Sequence, residues 1–502
     1  MHPLSFNVEQ MHRALFVSEV LLEIFINLNQ LPTTEGWTQS LTQRSLAALA
    51  RTCKTFHEPA MDLLWANMPG LRPLLGCVTR LHSMIYDPET KYSWSQCVDP
   101  LAEHEFHEFL RHSARVRSMT ISSNTYFRLL TALPIETCVF PGLISLSWMV
   151  QRTNIGDLHF FLSPTLLNCS VSEFHSDLTH IGTRCAALEA ITLLEDSGTV
   201  QLSATVRSCK RLKYLECPPL DSAAWMHLST VPTLLKVKIV ASRIIHFPLD
   251  NLNFATFLNL TTLCFRRMEV AAVVTIMQHF EFPSLKEFEM HVRVLPWAEA
   301  EQLCRALSQC KANQTLEHIC ISSRDRIPQH SGDPLTAVRQ FLCFTQLRTL
   351  RLSTHCFIYL DDDLLLEAMT SWPYIRSLSL DDWHICPPTV TFRGLIAALR
   401  LCPYLQYLQV PVDFRNIDIG PEAKLFQNTS LQNLTIASSE PKETDSEAVA
   451  RIIYSVLPAV EQVMRGNGNV RLWNNVNRHL ELLRNKSSSA SGHFITGAAS
   501  QT

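Results

Sequence analysis

Two histidines near residue 105 have the side chains that a metal site would need. In the stretch EHEFHEFLRH, His104 and His107 are three residues apart and would share one face of a helix. The zinc-binding pattern H-E-x-x-H is not met, because the second histidine comes one residue too early. We therefore favour a solvated helix face opposite Phe106, Phe109 and Leu110, with a metal site as the alternative.

Other chemical motifs are weak or absent from the sequence. Asp361, Asp362 and Asp363 could hold a cation, but negative charge also favours the N-terminus of the predicted helix LLLEAM that follows them. The chain contains no G-x-S-x-G, P-loop or G-x-G-x-x-G motif, and it has 14 glycines. We expect no catalytic residues, no metal and no cofactor.

Composition narrows the class of protein. The 502 residues are 46% hydrophobic and 18% charged, with a formal net charge of −3, so no basic excess predicts a nucleic-acid or membrane partner.

The apolar stretch VSEVLLEIFINL is interrupted by Glu19 and Glu23 and lacks a cleavage site, which argues against a signal peptide. No run long and apolar enough to span a membrane follows. The 16 cysteines form no C-x-x-C pair, so we expect reduced thiols in a cytoplasmic or nuclear protein.

A repeated hexad dominates the rest of the chain. The pattern L-x-x-L-x-L, with substitutions, recurs from VRSMTI at Val116 through LRTLRL at Leu347 to LQNLTI at Leu431. The twelve intervals between residues 116 and 431 have a mean of about 26 residues, within the roughly 20–29 of leucine-rich repeats. The last two apolar positions of each hexad are two apart and would lie on one face of a short strand. The stretches between hexads, such as AEAEQLCRALSQC, have helical spacing.

One strand and one helix per repeat predict an α/β solenoid with the strands on its concave side. The alternative is a doubly wound α/β domain, whose strands are usually longer apolar runs. The asparagine or cysteine usual beyond the hexad is largely missing and the intervals drift, so we expect an irregular horseshoe.

The first 70 residues contain three apolar helical stripes. The first reads Glu19-Val20-Leu21-x-x-Ile24-Phe25-x-x-Leu28, with Ser18 as its N-cap, and a stripe from Leu46 to Phe56 and a helix from Pro59 to Trp65 follow. This pattern resembles the F-box family, whose motif runs Leu-Pro-x-Glu-(Ile/Leu)-Leu-x-x-Ile-Phe-x-x-Leu, then Leu-x-x-Leu-x-x-x-Cys-(Arg/Lys)-x-Phe, then Leu-Trp. The match covers about residues 14–68, with Phe16-Val17 where the family usually has Leu-Pro.

Cysteines just before several strands, as in CPYLQYLQV, resemble those in the leucine-rich repeats of F-box proteins. The segment FHEPAMDLLWANMPGLRPLL also resembles the F-box-like proteins that are numerous in mushroom-forming fungi.

The F-box resemblance implies a partner and a binding surface. The partner would be the S-phase-kinase-associated adaptor, which connects to a cullin scaffold and a RING subunit. Alternatively, the helices only cap the N-terminal end of the solenoid, and the two roles are compatible. The implied adaptor-binding residues are Phe16, Val17, Val20, Leu21, Ile24, Phe25, Leu28, Leu46, Leu49, Cys53, Phe56 and Trp65.

A second surface follows from the hexads, because their third and fifth positions would point into the concavity. Aromatic and arginine side chains dominate binding energies at interfaces, which favours Tyr214, Arg351 and Tyr407 as anchors. The alternative is that these positions only keep the surface soluble. The predicted substrate-binding residues are Tyr214, Glu216, Lys236, Lys238, Glu287, Glu289, His318, Arg351 and Tyr407.

The predicted organisation is of mixed α+β and α/β class. It comprises an F-box-like three-helix domain at 11–68, a helical linker or N-terminal cap at 69–110, the solenoid at 111–440, capping helices at 441–484 and a disordered tail at 485–502. The predicted function is the non-catalytic substrate-recognition subunit of an SCF-type cullin–RING ubiquitin ligase, with an unknown protein as substrate. The alternatives are a repeat scaffold without a ligase role and, third, an enzyme.

Overall fold

The computed structural model divides the chain into two compact units, Met1–Leu212 and Lys213–Thr502. The residues that it describes are 17–29, 38–86, 98–134, 137–150, 158–172, 178, 181–194, 199–241, 253–325, 334–354, 356, 358–381, 389–413, 426–436, 446–465 and 470–492. Within them, no helix has both the length and the apolar character needed to cross a membrane.

Unit 1 begins with a module of three helices, α1 (Ser18–Asn29), α2 (Thr38–Ala50) and α3 (Lys54–Ala66). Apolar residues at helical spacing meet between the helices, with Leu21, Phe25 and Leu46 buried at the centre. The rings of Phe25 and Phe56 pack edge to face with centroids 5.8 Å apart. A small apolar core thus holds the three helices together.

One end of this module is joined to the repeats of unit 1. Strand β1 (Asn67–Met68) follows α3 directly and pairs in parallel with β2 (Ser118–Ile121). Arg115 donates to the Glu58 carboxylate at 2.5 Å and also pairs with Asp62, both on α3. The Trp65 ring stacks on His112 with centroids 4.4 Å apart. The module therefore caps the first strand, as the capping alternative expects.

The segment predicted as a helical linker contains α4 (Arg72–Leu75), α5 (Thr79–Tyr86) and α6 (Glu103–Leu110). Glu105 is buried, and it accepts hydrogen bonds from Arg80 at 2.7 and 2.8 Å and from the Ala102 N–H at 2.8 Å. The Arg80 guanidinium lowers the pKa of the Glu105 carboxyl to about 2, against the opposing effect of burial. This acidic residue of the EHEFHEFLRH stretch therefore has a structural role, and His104 and His107 are exposed.

The remaining strands of unit 1 are β3 (Ser145–Trp148), β4 (Asn168–Val171) and β5 (Ala190–Leu193), and β1 to β4 each pair in parallel with the next strand. The helices α7 (Ile181–Arg184) and α8 (Thr199–Ser208) accompany them. Trp148 packs against Phe127 and Phe161, with centroid distances of 5.1 and 5.3 Å. These rings fill the core behind the short strands.

Unit 2 repeats the same arrangement with more strands. Its parallel sheet follows chain order and contains β6 (Tyr214–Cys217), β7 (Lys236–Val240), β9 (Thr262–Arg266), β11 (Glu287–Val292), β12 (His318–Ser323), β13 (Thr349–Ser353), β14 (Ser377–Leu380), β15 (Tyr407–Val410), β16 (Asn433–Ile436) and β17 (Val463–Arg465). A separate two-stranded sheet pairs β8 (Ala255–Thr256) with β10 (Phe280–Glu281). The helices are α9 (Ser222–Ser229), α10 (Val270–His279), α11 (Trp297–Gln309), α12 (Ala337–Gln340), α13 (Asp362–Ser371) and α14 (Phe392–Leu399).

The thirteen predicted hexads all contain a strand, which starts at the third hexad position. In LRTLRL the apolar residues Leu347, Leu350 and Leu352 are fully buried, whereas Arg351 between the last two is exposed. Strand order follows chain order within each unit, without the reversal that defines a doubly wound sheet. Each unit is therefore an α/β repeat structure of leucine-rich-repeat type.

A polar residue just before the hexad ties several repeats to the preceding one. Thr315 Oγ1 donates to the backbone oxygens of Pro283 and Leu285, at 3.1 and 2.9 Å. Asn259 Nδ2 donates to the Pro232 oxygen at 2.7 Å, and Ser284 Oγ to the Leu258 oxygen at 2.6 Å. These bonds give partners to backbone carbonyls that lie at or just before the hexad of the preceding repeat.

The C-terminal region departs from the prediction of capping helices alone at 441–484. Helix α15 (Ser446–Val456) ends two residues before Pro458, which disfavours helical backbone at the residue before it. Strand β17 then pairs with β16 and adds an unpredicted strand to the sheet. Helix α16 (Val470–Gly492) continues into the segment expected to be disordered, while 493–502 lie outside the described residues.

The alternation along β13 gives a paired test of the fold. Leu350→Ala should lower the free energy of unfolding by about 2–5 kcal/mol, because it removes a fully buried side chain and leaves a cavity. Its neighbour Arg351→Ala should change stability by less than about 0.5 kcal/mol, since that side chain is exposed. Urea unfolding followed by circular dichroism measures both, and equal losses would contradict the assigned faces.

Candidate protein-binding surfaces

The first candidate surface is an exposed apolar line along α1. Val17, Val20 and Ile24 expose 45%, 37% and 41% of their surface to solvent. Val20 and Ile24 are four residues apart and lie on one side of the helix, and Val17, the residue just before the helix, is three residues from Val20. We call these three residues the α1 stripe.

The buried residues of α1 lie beside this stripe and belong to the module itself. Leu21, Phe25 and Leu46 are 1%, 3% and 2% exposed, so in this arrangement they stabilise the three helices and are not available to a partner. The predicted adaptor surface is therefore narrower than the sequence pattern suggests. Of the other predicted adaptor-binding residues, Leu49 and Phe56 are partly buried against the core and Cys53 is exposed. Trp65 stacks on His112. Phe16 and the Leu28 side chain lie outside the described residues.

The second candidate surface is the polar side of the unit 2 sheet. Side chains at the third and fifth hexad positions lie there in two rows, because the parallel strands pair without a shift in register. All nine predicted substrate-binding residues fall on these rows. From β6 to β15 the face spans eight strands, or roughly 34 Å at ~4.8 Å per strand.

Three of these residues form a closed network at the first two strands of the unit. Tyr214 Oη donates to Glu216 Oε2 at 2.5 Å, and Lys238 Nζ pairs with Glu216 Oε1 at 2.5 Å. The Glu216 and Lys238 side chains are only 13% and 19% exposed. Their charges therefore satisfy each other, and of the two lysines on β7 only Lys236 is without an ion pair among the described residues.

The network changes the acidity of its members. Burial works to raise the pKa of the Glu216 carboxyl, but hydrogen bonds from Lys238 and Tyr214 outweigh it and hold that pKa below its usual value. Burial, together with the bond to Glu216, raises the pKa of Tyr214 well above the usual phenol value. Glu216 thus stays charged and Tyr214 stays protonated at neutral pH.

The centre of the face carries a second polar cluster. Glu289 accepts a hydrogen bond from the Cys264 thiol at 3.5 Å and lies 3.8 Å from His291 Nε2. His291 Nδ1 is 2.7 Å from Ser322 Oγ. Burial lowers the pKa of His291, so the imidazole is mainly neutral at pH 7. Burial and the Glu289 charge raise the pKa of the Cys264 thiol to about 11, which keeps it protonated.

The remaining predicted residues lie apart along the rows. Glu287 accepts from Thr262 Oγ1 at 3.1 Å and is in register with His318. Arg351 is exposed on β13, and Tyr407 Oη donates to Gln409 at 2.8 Å. Within the described residues, neither Lys236 nor Arg351 has an ion pair, so both can accept an acidic partner.

Sequence reasoning missed a third row on this face, formed by Arg266, His291 and Ser322. These residues follow the hexad because β9, β11 and β12 extend past its end. Continuing the period-two alternation for two more residues would have found them.

Every described cysteine is a free thiol, and burial raises the pKa of several, to about 12 for both Cys185 and Cys402. Within the same residues no cluster of three or more histidine, cysteine or acidic side chains could hold a metal ion. Asp361 caps α13 by accepting from the Leu364 N–H at 2.8 Å, the structural use favoured above.

Comparison with known proteins adds no family assignment. No family model matches the chain, and no curated protein matches it in sequence. Among solved structures, the yeast Rad7–Elc1 complex matches at 13% identity and a TM-score of 0.36, over 86% of this chain and 93% of that one. The TLR13–ssRNA13 complex matches at 13% identity and a TM-score of 0.33, over 67% of this chain and 54% of that one. An internalin from Listeria monocytogenes matches at 8% identity and a TM-score of 0.29, over 82% of this chain and 96% of that one. Likenesses this distant carry no information about function.

The Tyr214–Glu216–Lys238 network should contribute to stability. Lys238→Met should lower the free energy of unfolding by about 1–3 kcal/mol, because it leaves the mostly buried Glu216 carboxylate without its cation. The double variant Glu216→Gln with Lys238→Met should lose less unfolding free energy than Lys238→Met alone, because it also removes the unpaired carboxylate. The control Lys236→Met, on the same strand, should stay within about 0.5 kcal/mol of wild type.

The same network predicts a pH dependence. A carboxyl whose pKa is lowered by folding stabilises the fold above its unfolded pKa, and that contribution is lost as the pH falls through the lowered value. The stability difference between wild type and Lys238→Met should therefore be greatest at neutral pH and shrink in acid. Urea unfolding midpoints of both proteins, measured from neutral to acid pH, test this. A stability difference that grows as the pH falls would contradict the pairing of Glu216 with Lys238.

Proposed function

We propose that this chain is the substrate-receptor subunit of a cullin–RING ubiquitin ligase. In this proposal the α1 stripe binds the S-phase-kinase-associated adaptor, and the polar face of unit 2 selects the protein to be modified. The chain itself carries out no chemistry, and it acts in the cytoplasm or nucleus, where the other subunits would meet it.

The observation that carries the proposal is the exposure of the α1 stripe. Val17, Val20 and Ile24 form a continuous apolar line beside residues that already fill the module's core. Exposed apolar residues that adjoin one another favour a partner, because contact removes their surface from water at about 25 cal/mol per Å². The resemblance of residues 14–68 to the F-box motif names the adaptor as that partner.

The attachment of the module supports the same arrangement. Contacts from α3 and β1 hold it to the first repeats, through Arg115 and through the stacking of Trp65 on His112. The α1 stripe takes no part in those contacts, so capping the repeats and binding an adaptor use different sides of the module. The capping and adaptor roles are therefore compatible.

The polar face of unit 2 supports recognition of a protein. It is far longer than a small-molecule pocket, and it carries charges of both signs whose arrangement is fixed by bonds such as Glu216–Lys238. Tyr214 is held within that network, whereas Arg351 extends from the face with no ion pair among the described residues. Arg351 and its neighbours are thus the favoured anchors for a substrate.

Ile24→Asp should abolish adaptor binding while leaving the fold intact. The new carboxylate would be buried without a partner in an apolar contact, at a cost of several kcal/mol, yet it is tolerated in the free protein because Ile24 is 41% exposed. Pull-down with purified adaptor measures binding, and circular dichroism measures folding.

Two variants control this experiment. Gln43→Asp adds the same charge at an exposed position on α2 and should bind as wild type. Leu21→Asp replaces a buried residue and should unfold the module, which separates loss of fold from loss of contact. Adaptor binding by Ile24→Asp at wild-type strength would overturn the assignment.

Affinity purification from cells followed by mass spectrometry separates this proposal from a scaffold role. The full chain should bring down adaptor and cullin peptides, and the Ile24→Asp variant should lose both while keeping proteins held by unit 2. Recovery of other partners with neither ligase subunit would favour the scaffold instead.

A further inference from the structure

A small polar cavity lies at the edge of the unit 2 sheet where β14, β15 and β16 begin. It has a volume of about 300 Å³, at the small end for ligand sites, and suits one side chain rather than a whole cofactor. It is separate from the polar face described above. Its lining residues are Arg376, Tyr404, Gln406, Ser430 and Gln432.

The lining is rich in hydrogen-bond donors and contains no carboxylate. Arg376 offers a guanidinium fork that matches the paired oxygens of a carboxylate or phosphate. Gln406 and Gln432 add carboxamide N–H groups, and Tyr404 and Ser430 add hydroxyls. A single positive charge among neutral donors favours an anion with several acceptor oxygens.

The cation of this cavity lacks the partner that its counterparts have. Lys286 and Arg348 occupy the same hexad position as Arg376 in earlier repeats, and both pair with Glu317, at 3.5 and 3.0 Å. Arg376 is exposed, and among the described residues it has no ion pair. The next two residues in this row are the glutamines, so the charge of Arg376 is unmatched in the part of the sheet described.

The tyrosine of the cavity likewise departs from the pattern of the repeats. Asn259, Ser284 and Thr315, at the equivalent position, hydrogen-bond to the backbone of the preceding repeat. Tyr404 instead stands 57% exposed, and Tyr374, one repeat earlier, is 48% exposed. Tyr404 lines the cavity, Tyr374 occupies the same position one repeat earlier, and both rings offer contact area of the kind that protein interfaces use.

We propose that this cavity binds an anionic side chain of a partner protein, either phosphorylated serine or threonine or a carboxylate. Arg376 provides the charge, the two glutamines and the hydroxyls bind the remaining oxygens, and the exposed tyrosines pack against neighbouring residues of the same segment. The site goes beyond the proposed ligase role, because the isolated chain would bind the anionic side chain whether or not an adaptor is bound.

Fluorescence anisotropy with labelled peptide pools tests the site on the full chain. Three pools share degenerate flanking residues and differ in a fixed central phosphoserine, glutamate or serine. Wild type should bind the phosphoserine pool at least about tenfold more tightly than the serine pool, as expected for a charge-assisted bidentate contact. Equal binding of the glutamate pool identifies a carboxylate site, and binding of the phosphoserine pool alone identifies a phosphate site.

Three variants make the test specific. Arg376→Gln should lose the preference for the anionic pools, and so should Gln432→Glu, which keeps the cation but adds a carboxylate to the lining. Arg393→Gln removes one exposed positive charge from α14, outside the cavity, and should keep the preference. All three positions are exposed, so thermal melting should be unchanged in every variant. No preference in wild type, or its survival in Arg376→Gln, overturns the proposal.

Discussion

Burial of alternate side chains in every short strand is the constraint on which the rest of the structure depends. In each hexad the first, fourth and sixth residues fill the core, while backbone groups bond to the neighbouring strand, as Gln406 and Tyr407 both donate to the Arg376 oxygen. A change at a buried position disturbs two neighbouring repeats at once, since each repeat is stabilised mainly by its neighbours. The third and fifth positions do not fill the core. A partner must therefore be bound by side chains at these positions, at the sheet edges or on the terminal module.

This constraint separates the parts of the chain that hold the fold from those that can bind. In unit 1, α3 and β1 serve the repeats while the α1 stripe remains open. In unit 2, Glu216 and Lys238 pair with each other across strands, which holds their charges in fixed positions. Arg351 and Arg376 lie on the same sheet, on its polar face and at its edge, and neither has an ion pair among the described residues. Charged residues at equivalent positions of different repeats thus differ in role. Those paired with a neighbouring charge hold the structure, and those without an ion pair can bind a partner.

The sequence predicts the strands well because apolar spacing of two within a fixed hexad leaves little choice of backbone. It could also have revealed the Glu216–Lys238 pair, since both residues hold the fifth position of adjacent hexads. It could not separate Leu21 from Ile24, because both belong to one apolar stripe and only the packing of α2 and α3 decides which is buried. Strand β17 was missed because Val463–Arg465 lacks the hexad, and the cavity near Arg376 depends on residues from three repeats.

In our proposal the chain joins a ligase adaptor through the α1 stripe. Size-exclusion chromatography with light scattering on the co-expressed full chain and adaptor measures whether the two form one complex. We expect a single species whose mass is that of the 57.0 kDa chain plus one adaptor, stable on dilution. If the chain elutes alone at 57.0 kDa and the adaptor in a separate peak, the two proteins do not form this complex and the proposal is wrong.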